Sequence, residues 1–222
     1  MIKGVIFGMN GVIYDSVPYT RKAREIILAK FGIKRDPSEI GRTLGMSLKD
    51  QIEIMNKEYG LSLVYADFSE ENRKIFNEIT KGKLKPNPGV RELIDELLKN
   101  KIEIGIASMN IAVNIIEHLK IMGLREKFKT ITSVEEVQKH KPDPEVLLKT
   151  CAKMKLEPEE CVVIDDSAQG IAPAKKIGMK IIIIASKTGD DPFQSREQLE
   201  KNGADLVIDS IEELNWEKIK NL

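Results

Sequence analysis

The sequence predicts an α/β fold, a doubly wound parallel sheet covered by helices on both faces, with a second, all-helical domain inserted into it. Two observations predict it. Six short apolar runs rich in β-branched residues alternate with longer amphipathic segments, the pattern of parallel strands buried by crossover helices. Between residues 16 and 85 that alternation stops, and only helix-like periodicity remains.

The strand candidates are residues 4–7, 102–107, 130–132, 161–164, 181–184 and 206–208. Helical periodicity runs over 90–98, 112–122, 145–154, 168–177 and 193–202. Pro88 and Pro144 stand where a first helical residue is expected, since a missing N–H costs nothing there; Gly123, Gly178 and Gly203 stand at expected stops. Inside the interruption the helix-like segments are 19–31, 37–44, 48–59 and 70–81, with Gly32 and Gly60 as stops and Ser47 as an N-cap. The proline-bearing stretch 83–89, KLKPNPG, then returns the chain to the sheet as a semi-rigid hinge. The expected organisation is one α/β core from 1–15 and 86–222, with 16–85 as the insert.

Composition narrows the function classes. The 222 residues hold 35 Lys plus Arg against 35 Asp plus Glu, and these charges are spread over helical faces. That balance argues against nucleic acid or a membrane surface as a charge-driven partner. No run of about 18 apolar residues is available to span a bilayer. The first strand is expected from Gly4, three residues after Met1, which leaves no room for a signal peptide. Cys151 and Cys161 lack a CxxC spacing, and His118 and His140 are not spaced to complete a metal site. A cytoplasmic protein with two reduced, packing thiols is expected; oligomeric state is not legible.

In a doubly wound sheet, ligands gather at the carboxyl ends of the strands. There the chain places Gly8, Met9, Asn10 and Gly11; then Ser108, Met109 and Asn110; then HKPDP at 140–144; then Asp165, Asp166 and Ser167, followed by Gly170. A hydroxyl, a cation and a carboxylate pair beside a glycine-bearing turn suit a phosphate and a magnesium ion. Each also has a plainer reading. Ser108 and Asn110 suit helix caps, Lys141 suits a solvated loop, and Asp165 and Asp166 suit the start of the next helix.

Residues 5–18 (VIFGMNGVIYDSVP), 88–108, 141–144 and 161–179, which includes VIDDSAQGIAPAKKIGM at 163–179, resemble the haloacid dehalogenase-like hydrolase superfamily. Within it the chain is similar to the C1-capped phosphoglycolate phosphatase and β-phosphoglucomutase-like group. The resemblance implies a Rossmann-like core with a helical cap, and phosphatase chemistry on a small phosphorylated metabolite with Mg2+. Position 8 then corresponds to the nucleophilic aspartate, and position 10 to the acid/base aspartate whose main-chain carbonyl helps bind metal. Ser108, Met109 and Asn110 correspond to the phosphate binders, and Lys141 to the cation joining nucleophile and phosphate. Asp165 and Asp166, with Asn10, correspond to the metal ligands. The loop 41–49, GRTLGMSLK, takes the place of the cap's specificity segment, through Arg42, Gly45 and Lys49.

The two positions that perform the chemistry depart from the family. Gly8 offers no nucleophile, so no covalent intermediate can form there. Asn10 cannot shuttle a proton, a function worth about 10²–10⁴ in rate, and with no nucleophile the acid has nothing to assist. Asp15, five residues beyond Asn10, is not placed to substitute. The expectation is a phosphate-binding scaffold without turnover and with a weakened Mg2+ site. It is either a mutated phosphatase or a natural pseudo-phosphatase; the alternative is an interaction or regulatory protein built on a relic fold.

Overall fold

The computed structural model of the chain describes residues 1–34, 46–185 and 195–222. Six parallel strands form one sheet in the order β3-β2-β1-β4-β5-β6: β1 Gly4–Phe7, β2 Glu103–Ala107, β3 Thr130–Thr132, β4 Cys161–Asp165, β5 Lys180–Ile184 and β6 Leu206–Ile208. The chain begins in the middle of the sheet, runs outward to β3, then crosses back over β1 to build the other half. The reversal leaves a crevice between the carboxyl ends of β1 and β4, where a doubly wound sheet presents its ligands.

Alternation along each strand separates two cores. Val5, Phe7, Ile104, Ile106, Val162 and Ile164 face one side, against α4 (Val90–Lys99), α5 (Ala112–Ile121) and α9 (Trp216–Lys220). Ile6, Val163, Ile181 and Ile183 face the other, against α6 (Glu145–Met154), α7 (Ile171–Lys176) and α8 (Arg196–Lys201). Both faces being dry, the strands read as continuous apolar runs. Glycines at 4 and 105 allow the helix on that second face to approach closely: a Cβ on Gly4 would lie 2.6 Å from Leu156, and one on Gly105 would lie 2.9 Å from Met154.

Between β1 and α4 the described helices are α1 Val17–Ala29, α2 Leu48–Tyr59 and α3 Tyr65–Thr80, and they share a third core of Ala23, Ile27, Leu28, Ile52, Met55, Phe68 and Ile75. The Ser47 hydroxyl accepts the Asp50 N–H to cap α2, and Gly60 ends it in the left-handed region at φ 64°. The expected segment 37–44 lies outside the described residues.

Several boundaries differ from the sequence reading for local reasons. Helix α3 starts at Tyr65, five residues before the expected 70, behind Val64, which makes no side-chain cap bond and so gave no start signal. The expected helix 168–177 opens as a 3-10 turn at Ala168–Gly170 before α7. Pro144 is the N-cap of α6 and Pro88 lies before the Gly89 N-cap of α4, so neither is a first helical residue. Ser108 does not cap α5, whose N-cap is Ile111.

The sheet centre carries the stability. Ile164 is fully buried whereas Ile121 on α5 is 53% exposed. Ile164→Ala is expected to cost about 2–5 kcal/mol in urea unfolding, and Ile121→Ala less than about 0.5 kcal/mol.

Candidate active site

A cavity of about 340 Å³ opens over the crevice, its floor made by the ends of β1, β2 and β4 and its roof by α1, α2 and α3. Strand β1 delivers Gly8, whose N–H continues the sheet by donating to the Ile164 carbonyl at 2.8 Å. Its backbone does not demand glycine. A Cβ there would sit 3.1 Å from Val12 Cγ2, 3.3 Å from the Ile164 carbonyl and 3.8 Å from Asp165 Cα, so a side chain needs adjustments of a few tenths of an ångström. The chain then turns through Met9–Tyr14, closed by Ile13 N–H to Met9 O at 3.0 Å and Gly11 N–H to Tyr14 O at 2.9 Å.

On the other side of the crevice β4 ends in Asp165 and Asp166. Asp165 accepts the N–H groups of Asp166 at 2.9 Å and Ser167 at 3.1 Å, together with the Ser167 hydroxyl at 3.1 Å. Its second oxygen accepts the Lys141 ammonium, and both side chains are nearly dry, at 8% exposure for Lys141 and 5% for Asp165. Two glycines make this packing feasible. A Cβ on Gly11, which sits at φ 73°, would lie 1.8 Å from Asp166 Oδ2, and one on Gly170 would lie 2.6 Å from Asp165 Oδ2.

The carboxylates differ in charge state. Burial alone would raise the Asp165 pKa, but the Lys141 charge and the hydrogen bonds from Lys141 and Ser167 outweigh it and hold the group below the usual range. Asp166 has burial and the neighbouring Asp165 charge both against ionisation, with Lys141 only partly offsetting them, and is pushed up to about 8. Lysine thus balances one carboxylate of the two. Among the described residues no group of three or more His, Cys, Asp or Glu side chains could hold a metal ion.

The structure brings Gly8, Asn10, Ser108, Met109, Asn110, Lys141, Asp165 and Asp166 to one cavity wall, with Lys49 in the roof. Ser108 N–H pairs with the Thr132 carbonyl at 3.0 Å, and its hydroxyl accepts the Asn110 N–H at 3.1 Å. The Asn110 side chain accepts from Ile111 N–H at 2.9 Å and from Asn114 at 3.0 Å, a turn-forming role. Asp15 is exposed and accepts the Val17 N–H at 3.1 Å at the start of α1. Arg42 and Gly45 lie outside the described residues.

Several lining residues escaped sequence reasoning. Arg24 is 3% exposed on the inward face of α1, donating to Asn72 at 2.7 Å and Gln51 at 3.0 Å, with its guanidinium 4.9 Å above the Phe68 ring. Tyr14 donates to Asn10 Oδ1 at 3.0 Å, and its oxygen also lies 3.0 Å from His118 Nδ1. Burial, opposed by Glu117, pushes the His118 pKa down to about 4, so the ring is neutral. Burial also raises that of Tyr14. The signal that would have found Arg24 and His118 was a polar residue at an inward position of an amphipathic helix. His140 meets Asp50 of α2 across the cavity mouth at 3.1 Å.

The Asp166 shift has a stability consequence. Between the ordinary aspartate value and about 8, folded Asp166 holds a proton that the unfolded chain has lost, so metal-free stability falls as pH rises through that window. Asp166→Asn is therefore expected to melt higher than the parent without metal. The gain should be small at pH 5 and reach several degrees at pH 9, at about 2–4 °C per kcal/mol. A gain independent of pH would contradict the assignment.

The haloacid dehalogenase-like hydrolase profile matches residues 5–184. A phosphorylated carbohydrates phosphatase of Thermotoga maritima is 27% identical over 185 residues, covering 82% of this chain and 84% of its own. The β-phosphoglucomutase of Bacillus subtilis is 26% identical over 226 residues, covering 99% of this chain and 97% of its own. The crystal structure of β-phosphoglucomutase from Clostridium difficile superposes with a TM-score of 0.84 at 27% identity, over 100% of this chain and 96% of the other. The doubly wound sheet, the helical roof and the strand-end residues have the same explanation: this chain belongs to the haloacid dehalogenase-like hydrolase family.

Proposed function

We propose that this chain binds inorganic phosphate or a small phosphate monoester in the cavity and does not hydrolyse it, a pseudo-phosphatase reading of the fold. The observation that supports it is the contrast across the crevice. Lys141, Asp165 and Ser108 are buried and held by hydrogen bonds, whereas Gly8 opposite them has no side chain although its backbone would accept one. A nucleophile is missing from an otherwise organised site. Removal of the carboxylates at positions 8 and 10 also leaves Lys141 facing only Asp165 and Asp166, which reduces the repulsion of an incoming dianion.

Magnesium fits the remaining donors as an assistant. This ion is commonly held by one or two carboxylates plus substrate phosphate and water, and Asp166 is a half-buried carboxylate that Lys141 does not balance. Asp166, Asp165 and the Asn10 carbonyl would hold it, and it would supply charge neutralisation beside the phosphate. The family relation implies such an ion, and the absent position-8 carboxylate weakens its hold.

Residues 16–85 act as the cap that selects the ligand. Among the described roof residues lining the cavity, Arg24, Lys49 and Arg73 are cationic and none is acidic. The family resemblance gives Arg42 and Gly45 the same selecting role as Lys49. A second anionic group on the ligand suits this roof, and the sugar-phosphate enzymes among the relatives make a phosphorylated sugar the favoured class. Such a ligand, with free thiols at Cys151 and Cys161, suits a cytoplasmic setting. No described helix is long and apolar enough to cross a membrane.

Two measurements test the reading. Calorimetry with inorganic phosphate, with and without Mg2+, is expected to show binding under both conditions, and Lys141→Met to weaken it at least about tenfold, since hydrogen bonds to charged groups contribute about 1.5–3 kcal/mol. No binding by the parent in either condition would end the proposal. Separately, the parent should be silent against a panel of phosphate monoesters, while Gly8→Asp with Asn10→Asp restores Mg2+-dependent hydrolysis. A folded but silent double variant would favour the interaction-protein alternative.

A further inference from the structure

We propose that Asn10 is itself a phosphate-binding donor in this chain, and that Tyr14 and His118 are positioning residues that aim its amide N–H groups into the cavity. The inference rests on the phosphate-binding reading above and assigns that site a donor made from the substituted position.

The argument follows one proton. A phenol has a single O–H, and Tyr14 donates it to Asn10 Oδ1 at 3.0 Å. The same phenolic oxygen lies 3.0 Å from His118 Nδ1. With its proton directed at Asn10, the phenol can only accept there, so Nδ1 carries the hydrogen and the neutral ring leaves Nε2 bare. The Asn10 amide, its oxygen taken, must turn its NH2 away from Tyr14. Residue 10 is exposed and lines the cavity together with Ser108 and Lys141. No described residue accepts a hydrogen bond from that NH2. An aspartate at the same place would present only a charged acceptor, which repels phosphate.

The surroundings keep the relay in place. Tyr14 is 1% exposed and His118 is 3% exposed. The His118 ring is edge-on to Tyr14 at 5.6 Å between centroids, and stacked on Phe76 of α3 at 5.2 Å. The opposite amide orientation would require Tyr14 to donate to a bare Nδ1, hence the Nε2–H tautomer. The two arrangements are therefore distinguishable by which ring nitrogen carries hydrogen.

The test uses the full chain. Nitrogen-15 NMR of the histidine rings is expected to show His118 as the Nδ1–H tautomer. Inorganic phosphate titrations of the parent, Tyr14→Phe, Asn10→Ala and the double variant form a mutant cycle. Tyr14→Phe should weaken phosphate about five- to tenfold when residue 10 is asparagine, the range of one ordinary hydrogen bond, and have no further effect when it is alanine. A purely structural role for Tyr14 would lower melting temperature without this coupling. The Nε2–H tautomer, or additive losses in folded variants, overturns the inference while leaving a phosphate-binding parent intact. A parent that binds no phosphate overturns the broader reading, and the donor role with it.

Discussion

Two carboxylates side by side at the end of a buried strand repel each other, and the Lys141 ammonium against Asp165 is what allows the pair to persist there. The rest of the site is arranged around that contact. Gly170 gives Asp165 its space, Gly11 gives Asp166 its space, and the turn at Ser167 closes on Asp165 through main-chain and hydroxyl hydrogens. Removing the lysine would leave a buried charge without compensation, which generally costs more than the pair contributes.

Against this background the substitutions at 8 and 10 are local. Gly8 keeps the pairing of β1 with β4 through its N–H, so the sheet does not register the loss of a side chain. Asn10 accepts a hydrogen bond from Tyr14 and carries an amide where the family resemblance implies an acid. What matters for the proposed binding is the electrostatic balance of the floor: Lys141 faces Asp165 and Asp166, and neither Gly8 nor Asn10 adds a carboxylate beside them. On the proposed reading, turnover and affinity for an oxyanion separate because the two depend on different atoms.

Roof and floor touch at opposite sides of the cavity. On one side, Phe76 of α3 stacks on His118 and Asn77 lies 3.4 Å from Glu117. At the mouth, Asp50, already engaged with the Ser47 cap, meets His140 next to Lys141. The roof is thereby joined to two floor segments, one carrying the neighbour of Tyr14 and the other the neighbour of the lysine.

The sequence by itself determined the α/β class, the order of strands and helices, the helical interruption, and which residues follow each strand. These follow from periodicity of 2 against 3.6 and from glycine and proline placement, which are local properties. Ser108, Lys141, Asp165 and Asp166 were legible because strand ends converge in any doubly wound sheet. Tertiary structure alone decided that Lys141 chooses Asp165 and leaves Asp166 unbalanced, and that Gly11 and Gly170 exist to admit those carboxylates. It also decided that His118, distant in sequence, closes on Tyr14 and through it on Asn10. Nothing local encodes these contacts: they arise where strand ends, α5 and the inserted helices meet, and the partner of a buried polar group is set by whatever else that packing places within about 3 Å.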